Sequence, residues 1–515
     1  MSAFEKLVKH SKKVSHFQHL YSISSWDQAS VMPSGGAEAR GEAMAELSVH
    51  IHQLMTQPQL GDWFDAAQDE SLDSTQQAIL REMKQQWQQA TVLPDEFVEA
   101  KSLAGSKCEH AWRKQRTDND WAGFAKNWQE VVALSQEEAQ RRADVSGLTP
   151  YDAMLNLYEP GTTSASLDVV FDDVKSWLPQ MIDQAIAKQA TDKVIQPAGI
   201  YPAQTQKALG QEVMKLLQFD FDHGRLDESV HPFCGGVPTD VRITTRYDEK
   251  EFVQSIMGIV HETGHARYEQ GLPRALAGTR AGEARSMGIH ESQSLFFEMQ
   301  LGRNPHFIQH LAGLTSGRFA DATPGLFSVE NLQKLYTRVK KDFIRVDADE
   351  LTYPAHVILR YEIERDLMNG AISYKDVPEL WNNKMQAYLG LSTQGNDRQG
   401  CMQDIHWTDG KSKKVTHNYR DGCMQDIHWC DGSFGYFPSY TLGAMYAAQF
   451  MATIKKTIDV DDVLKSGNLT PIFNWLSDNI WSKGSLLSTD ELVKNATGEK
   501  LNPKHFKDHL RSRYL

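Results

Sequence analysis

Apolar residues recur every three or four positions along much of this 515-residue chain. That spacing places them on one face of an α-helix, whereas strict alternation indicates a half-buried strand. Phe4, Leu7, Val14, Phe17 and Tyr21 form the first such series. They predict an N-terminal helix that buries this face.

The end of that helix is predicted from the residues that follow it. Trp26 is expected to enter a loop, because Met32-Pro33 and Gly35-Gly36 come after it. Proline lacks a backbone N–H and glycine favours turns, so both interrupt regular structure. The pattern therefore places Trp26 outside the first helix.

Later segments repeat the helical pattern, and one departs from it. The exception is Val241–Tyr247, where apolar and β-branched residues alternate with polar ones and predict a strand. The further helical segments are the stripe Ile79, Leu80, Met83, Trp87 and Ala90, which ends before Pro94, and the block Asp120–Ala143. The chain is thus predicted to be mainly α-helical. No linker or composition shift marks a domain boundary.

Composition narrows the class of protein. The net charge is 54 − 67 = −13, which argues against a general nucleic-acid binder with a basic face. No apolar run approaches the roughly 18 residues that span a bilayer, and the first residues, MSAFEKLVKHSKK, show no apolar core of a secretory signal. An odd, sparse set of cysteines suits a reducing compartment. We therefore predict a cytoplasmic protein without membrane or nucleic-acid partners. The cysteines are Cys108, Cys234, Cys401, Cys423 and Cys430.

Residues 261–265 read HETGH within a predicted helix that stops near Gly271 and Pro273. His261 and His265 are four positions apart, so both imidazoles project from one face and can bind one metal ion. Glu262 is then the candidate general base. The alternative is a chance match with two buried structural histidines.

A catalytic zinc needs a third protein ligand and an open position. The extended HExxHxxGxxH pattern is absent, so the ligand must come from a later element. Glu291 lies between Met287 and Leu295 on the apolar face of a second predicted helix, where a carboxylate is costly unless it is paired or binds a metal. Glu283 and Glu298 remain alternatives by spacing.

Several motifs occur together in this chain: HPF (231–233), DVRIT (240–244), HETGH (261–265), HES (290–292), IRVDAD (344–349) and GCMQDIHW. In these motifs and their order the chain resembles the carboxypeptidase Taq family of metallocarboxypeptidases over most of its length. The resemblance implies a nearly all-helical fold with a deep central groove, a small β-sheet at its edge and a homodimer. It also implies a single catalytic domain over 1–515, with an N-terminal helical half of about 1–230 and a metal-binding half of about 231–515.

The resemblance extends to individual residues. It implies His261, His265 and Glu291 as ligands of one zinc ion, for which cobalt could substitute in vitro, and Glu262 as catalytic base. Arg345 is implied to bind the substrate's terminal carboxylate, with an ion pair to Asp347 or Asp349 as the structural alternative. His231 and Arg242 are implied to shape the groove, or else to anchor it structurally.

The octapeptide GCMQDIHW occurs twice, at 400–407 and 422–429. Residues 398–410 and 420–432 match at 11 of 13 positions, which indicates a tandem duplication of 22 residues. The resemblance implies one working copy followed by an aromatic segment, and only the second copy runs into GSFGYF. We therefore predict that His428 and Tyr436 bind substrate. The first copy keeps a family-like lead-in, YLGLSTQGNDRQ, so it is the alternative for the working copy. A metal site formed by the histidines and cysteines of both copies is a second alternative.

Metal-dependent carboxypeptidase activity on peptides is the predicted function. A zinc oligopeptidase of endo- or dipeptidyl type with the same HExxH core is the alternative enzyme. A metal-bound protein without catalysis is the third reading, although it would need a broken ligand set, which the sequence does not show.

Overall fold

The computed structural model describes residues 1–229, 232–319, 322–402, 429 and 432–515. They form a mainly helical protein with a small sheet, as predicted. The helices are α1 Ala3–Ser30, α2 Ala37–Met55, α3 Gln59–Gln68, α4 Ser74–Thr91, α5 Asp95–Thr117, α6 Trp121–Ser146, α7 Pro150–Leu155, α8 Ser164–Gln189, α9 Ala203–Leu216, α10 Val253–Gly271, α11 Met287–Leu295, α12 Pro305–Thr315, α13 Val329–Tyr336, α14 Tyr353–Met368, α15 Val377–Leu389, α16 Pro438–Ile454, α17 Val460–Ser466, α18 Thr470–Asn479, α19 Thr489–Thr497 and α20 Pro503–Tyr514.

The chain folds into two compact units, each built from separate stretches of sequence. The first unit comprises residues 1–90, 192–337 and 443–505, and the second comprises 91–191, 338–442 and 506–515. The predicted single domain and its central groove stay predictions. Among the described residues, no helix is both long and apolar enough to cross a membrane.

The first unit contains the three-stranded sheet, with β1 Gly224–Glu228, β2 Cys234–Val237 and β3 Asp240–Thr245. β3 lies in the centre, parallel to β1 and antiparallel to β2. The predicted strand is thus confirmed, although it ends at Thr245 rather than Tyr247. Leu226 and Ile243 pair across the sheet and pack on Ile259 of α10, so the buried face of the sheet supports the HETGH helix.

The N-terminal helix differs from its prediction at two residues. Trp26 lies inside α1 and is buried. The helix continues to Ser30 because the proline at position 33 interrupts it only where that proline stands. Tyr21 is exposed although it lies on the predicted apolar face. Periodicity identifies a face of a helix but not how far along that face a neighbouring element covers it. The predicted helices at α4 and α6 are confirmed.

Candidate metal centre

His261 and His265 project from the same side of α10, and Glu291 projects from α11. Ligand atoms of the three side chains lie within 4.8 Å of one another, and Nε2 of His265 is 3.4 Å from Oε2 of Glu291. All three belong to the first unit. Two imidazoles and one carboxylate that converge in this way form a donor set that fits a single divalent cation.

Two glycines allow the helices to approach each other closely around these donors. A Cβ atom on Gly264, between the two histidines, would lie 2.5 Å from the backbone oxygen of Gln293 on α11. A Cβ atom on Gly443 of α16 would lie 2.7 Å from Cγ of Glu291. A larger residue at position 264 would push α10 and α11 apart, and one at position 443 would push α16 away from Glu291.

Glu298, an alternative ligand by spacing, contacts His261 instead of joining the three donors. Nδ1–H of His261 donates to Oε2 of Glu298 at 2.9 Å, and Arg303 donates to Oε1 at 2.6 Å. Glu298 lies in a π-helix, Phe296–Gly302, that continues α11. Burial acts to raise the pKa of Glu298, but Arg303 and His261 outweigh it and hold the pKa at about 2. Glu283, the other alternative, pairs with Arg280.

Glu262 is buried beside His261, with 7% of its surface exposed. Burial raises the pKa of Glu262 to about 7, because the charged form loses hydration, although the neighbouring His261 acts in the opposite direction. A carboxylate whose pKa lies near neutral pH can both accept and return a proton under those conditions. Burial also lowers the pKa of His265, to about 4, so its ring is neutral and able to bind a metal.

Arg345 lies in the second unit and is 3% exposed. Its guanidinium lies 4.7 Å from the ring centroid of Tyr440, 5.4 Å from that of Tyr353 and 5.5 Å from that of Phe437. Aromatic rings that cover a guanidinium leave its N–H edge for polar partners. No pattern in the sequence indicates this aromatic surrounding.

Tyr436 belongs to the same aromatic cluster, since its ring contacts Tyr440 at a centroid distance of 5.2 Å and Tyr158 at 5.1 Å. Tyr440 therefore connects the two predicted substrate-binding residues Tyr436 and Arg345. Among the predicted site residues, His231 and His428 lie outside the described residues.

Arg242 lies on β3 in the first unit, where its guanidinium is 4.7 Å from the ring centroid of Trp26. Its Nε and Nη2 donate to the two oxygens of Asp240 at 2.9 and 2.7 Å. These contacts support the structural alternative, in which Arg242 anchors the sheet to α1.

Both copies of the octapeptide contribute buried residues to the second unit. From the first copy, Cys401 and Met402 are buried, and the backbone oxygen of Met402 accepts a hydrogen bond from Trp112. From the second copy, Trp429 is buried and donates to Glu364 at 2.6 Å, and its backbone oxygen accepts from Trp128. The described parts of the two copies therefore together correspond to the beginning and the end of one octapeptide. The alternative metal site falls largely outside the described residues.

Deleting residues 398–419 is expected to leave folding and activity near those of the parent. The deletion puts Gly422, Cys423 and Met424 in place of identical residues at 400–402 and leaves Trp429 unchanged. Because closing a long loop costs little more than closing a short one, the melting temperature should stay equal or rise slightly. Thermal unfolding and peptide turnover of the deleted chain would measure both.

The two histidines of the repeat serve as a matched pair of substitutions. His428→Ala is expected to lower turnover at least ~10-fold and His406→Ala to change it little, because His428 adjoins the anchored Trp429. The opposite ranking would assign the working role to the first copy. Loss of activity in both variants and in a folded deletion would show that the repeat is itself functional.

The chain is similar in sequence and in fold to known proteins over nearly its whole length. The family model described as carboxypeptidase Taq (M32) metallopeptidase matches residues 6–412 and 414–514. The chain is 35% identical to carboxypeptidase 1 of Bacillus subtilis, covering 98% of this chain and 96% of that one. It is 33% identical to thermostable carboxypeptidase 1 of Thermus thermophilus, covering 100% and 98%. Among solved structures, metallocarboxypeptidase 1 of Trypanosoma cruzi superposes with a TM-score of 0.93 at 43% identity, covering 99% of each chain.

Proposed function

The chain belongs to the carboxypeptidase Taq (M32) family of metallopeptidases and is a metallocarboxypeptidase, and on that basis we propose how its residues remove single amino acids from peptide C-termini. His261, His265 and Glu291 bind one divalent metal, and Glu262 acts as general base. The convergence of the three donors within 4.8 Å supports this assignment. The relatives are named carboxypeptidases, which supports this activity over the oligopeptidase alternative.

Zinc is the proposed metal, because two imidazoles, one carboxylate and an open position are typical of catalytic zinc. When bound, such an ion supplies Lewis acidity that polarises a peptide carbonyl and acidifies a water molecule. Glu262 accepts the proton of the attacking water and returns it to the leaving amine. Glu298 holds the ring of His261 through Nδ1, which leaves Nε2 for the metal.

The proposed recognition of substrate rests on Arg345, Tyr436 and His428. Arg345 binds the terminal carboxylate through its N–H edge, since a planar guanidinium can donate two parallel hydrogen bonds to a carboxylate. Tyr436, with His428, binds the substrate or steadies the oxyanion that forms during hydrolysis. The aromatic contacts around Arg345 support this role, because they hold the guanidinium in place together with the hydrogen bond that its Nη1 donates to the hydroxyl of Tyr353.

A homodimer and a cytoplasmic location complete the proposal. The odd, sparse set of five cysteines supports a reducing compartment. The net charge of −13 supports the absence of a nucleic-acid partner. Sedimentation equilibrium would test the dimer.

The function is tested with three forms of one peptide: unmodified, acetylated at the N-terminus and amidated at the C-terminus. Mass spectrometry is expected to show stepwise loss of single C-terminal residues from the first two forms and none from the third. Cleavage of the amidated peptide at the same rate, or internal fragments from any form, would favour the oligopeptidase alternative.

Replacing Arg345 with Ala is expected to lower kcat/KM by about 30- to 1000-fold, because the lost charge-assisted contact is worth roughly 2–4 kcal/mol. Arg345→Lys should recover only part of this, since an ammonium keeps the charge but not the planar pair of donors. Steady-state kinetics with a free-carboxylate peptide measures the effect. Arg141→Ala, which removes an exposed arginine paired with Glu137, is the control. Unchanged kinetics in a folded Arg345→Ala variant would contradict the assignment.

A further inference from the structure

His290 lies on α11, next to Glu291, and its side chain contacts two residues of α10. Its Nδ1 is 2.7 Å from Nδ1 of His265, and its Nε2 is 2.8 Å from Oε1 of Glu269. The two imidazole rings have centroids 4.6 Å apart and planes inclined by 30°. His265, His290 and Glu269 therefore form a continuous hydrogen-bonded chain that starts at a proposed ligand.

We propose that His290 and Glu269 are positioning residues that select the metal-binding tautomer of His265. This proposal rests on the proposed function, because it takes His265 as a metal ligand. The His290–Glu269 pair differs chemically from the Glu298–Arg303 pair that contacts His261.

The positions of the protons follow from the chemistry of each partner. An ionised carboxylate only accepts hydrogen bonds, so Nε2 of His290 must carry the hydrogen that Glu269 accepts. A neutral imidazole has one N–H and one lone pair, so Nδ1 of His290 is an acceptor. The N–H between the two rings must then belong to Nδ1 of His265.

This arrangement leaves the lone pair of His265 on Nε2, which is the atom that faces Glu291 at 3.4 Å. The carboxylate of Glu269 thus determines, through two rings, which nitrogen of His265 can bind the metal. Without that acceptor His290 could adopt the other tautomer and donate from Nδ1. His265 would then carry its hydrogen on Nε2, where it would block the metal.

The chain also connects the two ligand helices. Glu269 lies one helical turn after His265 on α10, and His290 directly precedes Glu291 on α11. All of these side chains are mostly buried: the exposed fractions are 14% for His265, 18% for His290 and 24% for Glu269. Hydrogen bonds protected from water in this way hold ring orientation more firmly than exposed ones. The pair therefore fixes both the tautomer and the direction of His265.

The test measures the dissociation constant for Zn²⁺ by competition with a chromophoric chelator, using the full-length protein at one pH. His290→Phe keeps the ring volume but removes both hydrogen bonds, and it is expected to weaken Zn²⁺ binding by about 10- to 100-fold. The d–d spectrum of the Co²⁺-loaded variant should also differ from that of the parent, since the ligand field changes when His265 turns.

Two amide substitutions separate positioning from simple structural support. His290→Asn places an amide oxygen, which accepts hydrogen bonds, near the former Nδ1, towards His265. The longer amide of His290→Gln reaches the former Nε2 position, towards Glu269. We expect His290→Asn to recover most of the Zn²⁺ affinity and His290→Gln to recover little. The reverse order would overturn the proposal, because it would show that only the contact with Glu269 matters. This comparison decides the matter if the Phe variant does not fold.

Two controls complete the experiment. His505→Phe removes a histidine of similar exposure that is bonded to Glu499 at 2.8 Å elsewhere in the first unit, and it should leave Zn²⁺ affinity unchanged. His265→Ala should weaken binding more than any change at 290. Normal affinity in His265→Ala would refute the proposed ligand set itself. A weakened His265→Ala together with normal affinity in His290→Phe would refute only the positioning role.

Discussion

Replacing Glu262 with Gln is expected to lower kcat by about 10²- to 10⁴-fold while Zn²⁺ affinity stays close to that of the parent. The amide fills nearly the same volume, so the buried site should keep its packing, but it cannot accept a proton from water. Steady-state kinetics and zinc titration of the same preparation measure the two effects separately.

Substitution of Glu291, the proposed carboxylate ligand, should lower the affinity for the metal itself. Glu291→Ala is expected to lose most of its Zn²⁺ affinity, and Glu298→Ala to lose a smaller part, about 10- to 100-fold, because Glu298 acts through His261. Glu283→Gln is the control, since Glu283 pairs with Arg280 and belongs to neither role. Normal zinc binding by Glu291→Ala with loss in Glu298→Ala would assign the ligand role to Glu298 instead.

Removing the metal is expected to abolish peptide hydrolysis, and adding Zn²⁺ or Co²⁺ to the dialysed protein should restore it. The reason is that His261, His265 and Glu291 are the proposed ligand set, and the ion that they would hold supplies the Lewis acid. Turnover is measured after a strong chelator has been added and removed, with metal content determined in the same samples.

The melting temperature of the metal-free protein distinguishes a catalytic metal from a structural one. A structural ion would lower the melting temperature along with activity, whereas a catalytic ion can leave folding largely intact. Thermal unfolding of the metal-free protein therefore serves as the control. Full turnover with metal content near zero would refute the metallopeptidase mechanism.

Much of the metal centre was predictable because it is local. His261 and His265 are one helical turn apart, so any helix through HETGH places their rings side by side, and α10 spans Val253–Gly271 as the pattern predicted. The strand at Asp240–Thr245 was predictable for the same kind of reason, since alternation over six residues defines its two faces.

The choice among the three carboxylates was not local. Periodicity puts Glu291 and Glu298 on one stripe of a continuous α-helix, whereas the chain changes to a π-helix at Phe296. Such a change alters the direction in which later side chains project. The packing of α11 on α10 brings Glu291 to the two histidines, and the π-helix carries Glu298 to Nδ1 of His261.

The contacts around the proposed ligand His265 and around Arg345 are between residues far apart in the sequence, so they could not be predicted from it. His290 meets His265 across 25 positions of sequence, and Arg345 meets Tyr440 across a much longer separation. The helical class, the HETGH pair and the candidate general base could be predicted from sequence alone, because backbone periodicity sets which residues a single helix brings together. The proposed third ligand, the proposed tautomer of His265 and the aromatic surrounding of Arg345 depend on how separate elements pack, since hydrogen bonds and ring contacts between distant residues leave no period in the chain.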